Sequence, residues 1–205
     1  MTLHELENLP FAERFDLLLK IFSSKRFLTM QNIGNEVPFF ICPYHPQEQE
    51  EMVRLIENLT IQLSHRGVQV KRINLYDLCL DIIRQEEGAW SVLVEEETSH
   101  EKDVLLEQLQ MMLVPEFHLA PEIVKRLECN SYELLFIDGV GEVYPYVRTH
   151  TLLENLEKYL NHKPLILFFP GNYIQTLHAG ASLELFERLH DDKYYRAFNI
   201  YRYEP

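Results

Sequence analysis

The chain is 205 residues long, which suits one large domain or a domain with a short extension. Hydrophobic residues make up 46% of it and aromatics 12%, enough to bury a sizeable core and to exclude general intrinsic disorder. The formal net charge of -13 disfavours direct nucleic-acid binding, which requires clustered Lys and Arg for counterion release, although acidity also serves simple solubility.

The longest apolar stretch, Pro164 to Phe169, is far shorter than the roughly 20 residues of a membrane span. Met1 to Glu7 lacks the basic-then-apolar pattern of a signal peptide, so a soluble, cytoplasmic chain without membrane contact is expected. Cys42, Cys79 and Cys129 are widely spaced with no C-x-x-C pair, and read as reduced core thiols.

The chain begins with Leu3, Leu6 and Leu9. Pro10 then opens a segment in which Phe11, Phe15, Leu18, Leu19 and Phe22 recur at helical spacing. One or two amphipathic helices are expected over residues 1–30 as an N-terminal extension of an α/β domain spanning 31–205. The stripe either docks on that domain or anchors a partner. Val37 to Pro43 reads as the first strand, and Pro46 with Glu48, Glu50 and Glu51 opens a helix carrying Met52, Ile56, Leu59 and Leu63 until Gly67 stops it. Val68 to Leu75 alternates like an outer strand, and Leu78 to Ile83 reads as helix. Ala89 to Glu97 is ambiguous; Thr98 with Glu101 forms a capping-box pattern ahead of Leu105, Leu109 and Leu113. Pro115 ends that helix and Pro121 opens the next.

Leu134 to Ile137 is a continuous apolar run bounded by turn residues, as a strand buried on both faces requires. Thr151 with Glu154 suggests a second capping box, and Leu152, Leu153, Leu156 and Leu160 a buried helical face. Pro164 to Phe169 is the next buried strand, closed by Pro170 and Gly171. Leu183, Leu185, Phe186 and Leu189 suggest a short helix before a last strand over Tyr194 to Tyr203. Strand and helix alternate with connections long enough for parallel crossovers. The expected fold is therefore three-layer α/β, with a mostly parallel five-stranded sheet flanked by helices.

Asp138 falls at the carboxyl end of the central strand and is followed by Gly139 and Gly141, the edge at which open α/β sheets bind ligands. Tyr44, His45, Asp138, Gly139, Gly141, Glu142 and Asn172 are the candidate crevice residues, although a strand also ends in Asp or Gly simply because the chain must turn there. A strand, loop and helix followed by a strand ending in Asp is the layout of a P-loop nucleotide hydrolase. The loop Pro43-Tyr44-His45-Pro46-Gln47 nevertheless has neither the glycines nor the lysine that hold phosphates, and Glu48, Glu50 and Glu51 sit where those phosphates would lie. The core thus resembles a degenerate P-loop scaffold without its phosphate loop. No H-E-x-x-H, G-x-S-x-G or complete G-x-G-x-x-G pattern is present, so no catalytic residue, cofactor or metal set is expected. Asp138 and Glu142 could still share a magnesium ion. DNA contact would require Lys71, Arg72, Arg126, Arg148, Arg188 and Arg196 to gather on one face.

The strings Gly34 to Ile41, Asp138 to Pro145, Arg148 with His150 to Leu153, Phe168 to Gly171 with Tyr173, and Tyr194 to Phe198 resemble the BrxB family of BREX bacteriophage-exclusion operons. The resemblance implies a small cytoplasmic component of a defence system that works beside an ATPase, a methyltransferase and a PglZ-type phosphatase-fold protein. It supplies no known active site. It implies a non-enzymatic interaction or scaffold subunit that binds other BREX components, foremost the PglZ-like protein, with Phe11, Phe15, Leu18, Leu19 and Phe22 as candidate partner contacts. The alternative is a divergent nucleotide- or metal-dependent enzyme centred on Asp138.

Overall fold

Every residue of the apolar run Phe39–Tyr44 is buried, and this strand, β1, lies inside the sheet. The computed structural model describes residues 9–31, 37–86, 88–96, 102–128, 131–176, 180–191 and 196–204. Leu3, Leu6, the Thr98–Glu101 capping box, Cys129, and Tyr194 with Tyr195 lie outside the described residues. The remaining strands are β2 (Val70–Asn74), β3 (Leu134–Asp138), β4 (Leu165–Thr176), β5 (Gly180–Leu185), β6 (Leu189–Asp191) and β7 (Phe198–Asn199). The helices are α1 (Phe11–Phe22), α2 (Lys25–Leu28), α3 (Gln49–His65), α4 (Leu75–Gln85), α5 (Ala89–Glu96), α6 (Lys102–Met112), α7 (Ala120–Glu128) and α8 (Thr149–Leu156).

Five strands run parallel in the order β2-β3-β4-β1-β7. Their side chains alternate between two cores, as a pleated strand covered on both faces must. Phe39, Ile41, Leu135, Ile137, Leu165 and Leu167 meet α4, α7 and α8 on one face. Phe40, Cys42, Leu134, Phe136, Ile166 and Phe168 meet α1, α2 and α3 on the other. Aromatic rings tie the second face together: Phe22 lies 5.3 Å from Phe136, and Phe136 packs edge-on against Phe168 at 5.1 Å. β2 is more exposed, as its alternating sequence requires of an edge strand. Cys42 and Cys79 are buried free thiols, and burial pushes Cys79 up to about 12.

The C-terminal third departs from the sequence reading. β4 does not stop at Pro170 and Gly171 but continues out of the parallel sheet, pairing antiparallel with β5, which pairs in turn with β6. The helix expected over Leu183 to Leu189 is therefore a hairpin. Leu183 and Leu185 are buried while Ser182 and Glu184, alternating with them, are half-exposed, the period-two pattern of a strand with one covered face. Gly171 makes the pairing possible, because a Cβ there would fall 2.1 Å from the Glu184 carbonyl oxygen. The last strand is only Phe198–Asn199: the Asn199 side chain accepts a hydrogen bond from the Tyr201 amide at 3.0 Å and turns the chain into a 3-10 helix. Thr151 is no cap, since α8 already begins at Thr149 after Arg148.

Candidate functional site

The carboxyl ends of β1 and β3, with the loops that follow them, bring six of the seven candidate crevice residues together. Tyr44 ends β1, and its hydroxyl donates to Gln49 Oε1 at 2.5 Å; Gln49 Nε2 in turn donates to Glu142 at 3.3 Å. His45 Nδ1 lies 2.5 Å from Glu187 Oε1 on the β5–β6 turn. Gly139 adopts φ 75° under the Asn74 side chain, whose atoms would lie 2.9 Å from an added Cβ. Gly141 leaves room for the Phe186 ring, 2.8 Å from where its Cβ would be, with Pro170 at 3.0 Å. The loops after β3 and within β4 therefore meet at one edge, as adjacent parallel strands require. Asn172 is placed elsewhere, on the ribbon, donating to Glu184 at 2.8 Å.

Asp138 is only 3% exposed and is gripped by Arg72, whose Nε donates to Oδ2 at 2.9 Å while Nη2 donates to the same oxygen. Arg72 also reaches Glu57 of α3 at 3.6 Å. Asp138 Oδ1 has no hydrogen-bond partner among the described residues. Burial pushes the Asp138 carboxyl above its ordinary value, and the Arg72 guanidinium, then the Asn74 side chain, pull against that rise. Burial, then the charges of Asp138 and Asp77, raises Glu142 in the same direction. Burial, then the Asp138 charge, also raises the Tyr44 hydroxyl. The site thus disfavours further negative charge.

A second internal ion pair sits at the helix N-terminus after β1. Glu48 is the N-cap residue of α3, and its carboxylate accepts a hydrogen bond at 2.9 Å from Arg14 of α1, which is 1% exposed. The residue at the helix N-terminus, where the dipole favours negative charge, is thus itself acidic, and although its side chain makes no capping hydrogen bond its carboxylate is neutralised by Arg14. Sequence reasoning missed Arg14, Gln49 and Glu187, and placed Arg72 only among possible DNA contacts. A charged residue inside an apolar stripe, Arg14 between Phe11 and Phe15, is the one local signal that was available.

The β5–β6 turn closes over this edge. Phe186 and Glu187 have φ of 55° and 59°, uncommon for residues other than glycine, and the Phe186 ring packs edge-on against Tyr144 at 6.4 Å. Among the described residues no group of three or more His, Cys, Asp or Glu side chains is arranged to hold a metal ion, and no helix is long and apolar enough to cross a membrane. The basic residues do not form one free patch: Arg72 is engaged as above, Arg126 bonds Asp81 and Glu122, and Arg148 lies over the Tyr144 ring. Arg196 feels the charge of Glu157.

Of the candidate partner residues, Leu18, Leu19 and Phe22 are buried in the core. Phe11 and Phe15 are half-buried and line a shallow groove with Leu55 and Arg54 of α3.

The family described as BREX protein BrxB matches residues 71–200. A BREX protein BrxB of Bacillus cereus (strain H3081.97) is 32% identical over 195 residues, covering 92% of this chain and 96% of the relative. The chain belongs to the BrxB family. A BREX protein BrxB of Escherichia coli O9:H4 (strain HS) is 28% identical over 177 residues, covering 85% of this chain and 84% of its own. No solved structure matches the chain significantly. BrxB membership makes this chain a component of a BREX anti-phage system.

Proposed function

We propose that this chain is a non-enzymatic, cytoplasmic interaction subunit of the BREX machinery that binds a PglZ-type component, with Phe11 and Phe15 as the accessible part of the contact stripe on α1. The observation that carries the non-enzymatic reading is the internal pairing of both charged positions a nucleotide site would need. Asp138 is held by Arg72, and Glu48 at the α3 N-terminus is paired with Arg14. A magnesium ion at Asp138 would sit against the Arg72 guanidinium, and a phosphate at the α3 N-terminus would meet the half-buried Glu48 carboxylate. The overall negative charge agrees with a partner other than DNA.

The burial of Asp138 at the sheet's carboxyl edge and the raised carboxyls of Asp138 and Glu142 favour one second reading, a divergent nucleotide- or metal-dependent enzyme centred there. Calorimetric titration with ATP or GTP in the presence of magnesium separates the two. The interaction reading expects no saturable heat; micromolar binding abolished in Asp138→Ala would overturn it. Affinity capture of this chain from cells carrying the complete operon tests the partner: the PglZ-type component is retained, and its absence from the captured material removes that assignment.

A further inference from the structure

The turn between β5 and β6 is made of residues poorly suited to it. Arg188 N donates to the Leu185 carbonyl at 3.2 Å, and the two residues between them, Phe186 and Glu187, have φ of 55° and 59°. Asn-Gly or Gly-Gly adopts positive φ at both central positions of a turn without strain, whereas most residues with a Cβ are strained there. A turn that served only to reverse the chain would carry those smaller residues. What holds Phe186 and Glu187 in place is what they reach on other elements. The Phe186 ring lies over Gly141 beside Pro170 and edge-on to Tyr144, its amide donates to the Pro170 carbonyl at 2.8 Å, and Glu187 meets His45 of the β1–α3 loop at 2.5 Å. Open space adjoins these contacts. A cleft of about 580 Å³ is lined by His45, Pro46 and Gln47 on one side and by Phe186 to Leu189 on the other. Below the turn, Leu183 and Leu185 are buried and anchor β5, so movement into that space is confined to the turn itself.

We infer that the β5–β6 turn is a releasable latch, closed in this structure, that covers the loop after β3 at the carboxyl edge of the sheet. Strain in the turn favours release, while the seated ring and the ion pair favour closure. The ion pair joins two exposed side chains and is therefore weak, which leaves the opposing terms close in size and the turn with two accessible states. Release lifts Phe186 off Gly141 and parts Glu187 from His45, so the loops after β3 and β1 are freed together. Whatever seats on this edge must first displace the Phe186 ring, and it binds only the released state. The latch does not depend on which reading of the crevice holds, because it controls access to the edge in either.

Native-state hydrogen exchange on the full chain, read amide by amide by NMR and corrected for intrinsic rates, tests the latch. The Phe186 amide reports on it, and the Leu135 and Leu165 amides, which bond the Pro164 and Pro38 carbonyls inside the sheet, report on the whole fold. In wild type the Phe186 amide is expected to exchange roughly tenfold or more faster than these two, through an opening that leaves the sheet intact. Two substitutions outside the turn loosen its clasps. His45→Ala removes the ion pair and is expected to speed Phe186 exchange roughly threefold. Gly141→Ala wedges a methyl group under the ring and is expected to speed it roughly tenfold. A substitution that only weakens the fold leaves a locally opening amide unchanged, so these increases belong to contacts broken during release. His45 is exposed, and its variant decides alone if Gly141→Ala does not fold. Phe186 exchange as slow as that of Leu135 in wild type, or unchanged in a folded variant, overturns the inference.

Discussion

Arg72 on β2 and Asp138 on β3 form a two-pronged ion pair across adjacent strands, with the carboxylate almost wholly buried and Nε 2.9 Å from Oδ2. A buried charge that loses its partner is costly, whereas removal of both charges together is much less so. Arg72→Ala is therefore expected to lower unfolding free energy by about 3 kcal/mol, measured by urea denaturation, and Arg72→Met combined with Asp138→Leu to recover most of that loss. A single Arg72→Ala variant as stable as wild type would show that Asp138 does not depend on this pair.

The Phe186 ring over Gly141 sets the position of the β5–β6 turn. Gly141 has no positive φ, so its requirement is for space: a methyl group would meet Phe186 at 2.8 Å and Pro170 at 3.0 Å. Gly141→Ala is expected to cost about 1–3 kcal/mol. Phe186→Ala in the same chain makes room for the methyl group, so the two losses combine to less than their sum. Strict additivity in a double-mutant cycle would mean that the ring and the glycine do not meet.

Glu142 gives the crevice a pH dependence of known sign. Burial and the neighbouring charges of Asp138 and Asp77 raise its carboxyl, so the folded chain holds this proton more tightly than the unfolded chain does. The resulting stabilisation is full at acid pH and is lost as pH rises through the folded value. Glu142→Gln is thus expected to melt above wild type at pH 7 and to lose that advantage by about pH 4. An advantage that grows on acidification would reverse the assignment.

Within the α1 stripe, stability and recognition separate by residue. Phe22 is fully buried against Phe27 and Phe136, so Phe22→Ala is expected to cost about 3–5 kcal/mol. Phe15→Ala, at a half-buried position beside α3, costs much less and leaves the partner contact as its main readout. A melting temperature equally depressed in both variants would make the whole stripe core.

Local pattern carried much of the fold. The runs Phe39–Tyr44, Leu134–Asp138 and Leu165–Phe169 are uninterruptedly apolar because both faces are covered, a condition written into a one-dimensional string. The family strings of the BrxB resemblance were legible in the same way, and so was the meeting of Tyr44, His45, Asp138 and Glu142, since parallel strands end on one side. The β5–β6 hairpin was not legible. Leu183, Leu185, Phe186 and Leu189 fit a short helix or a strand pair equally well, and only the extension of β4 past Gly171 supplies the neighbour that selects strands. The charge pairing of the crevice was hidden for a related reason. Arg14 meets Glu48 across 34 residues, Arg72 meets Asp138 across 66, and His45 meets Glu187 across 142, so each partner is chosen by the packing of whole elements rather than by neighbours along the chain.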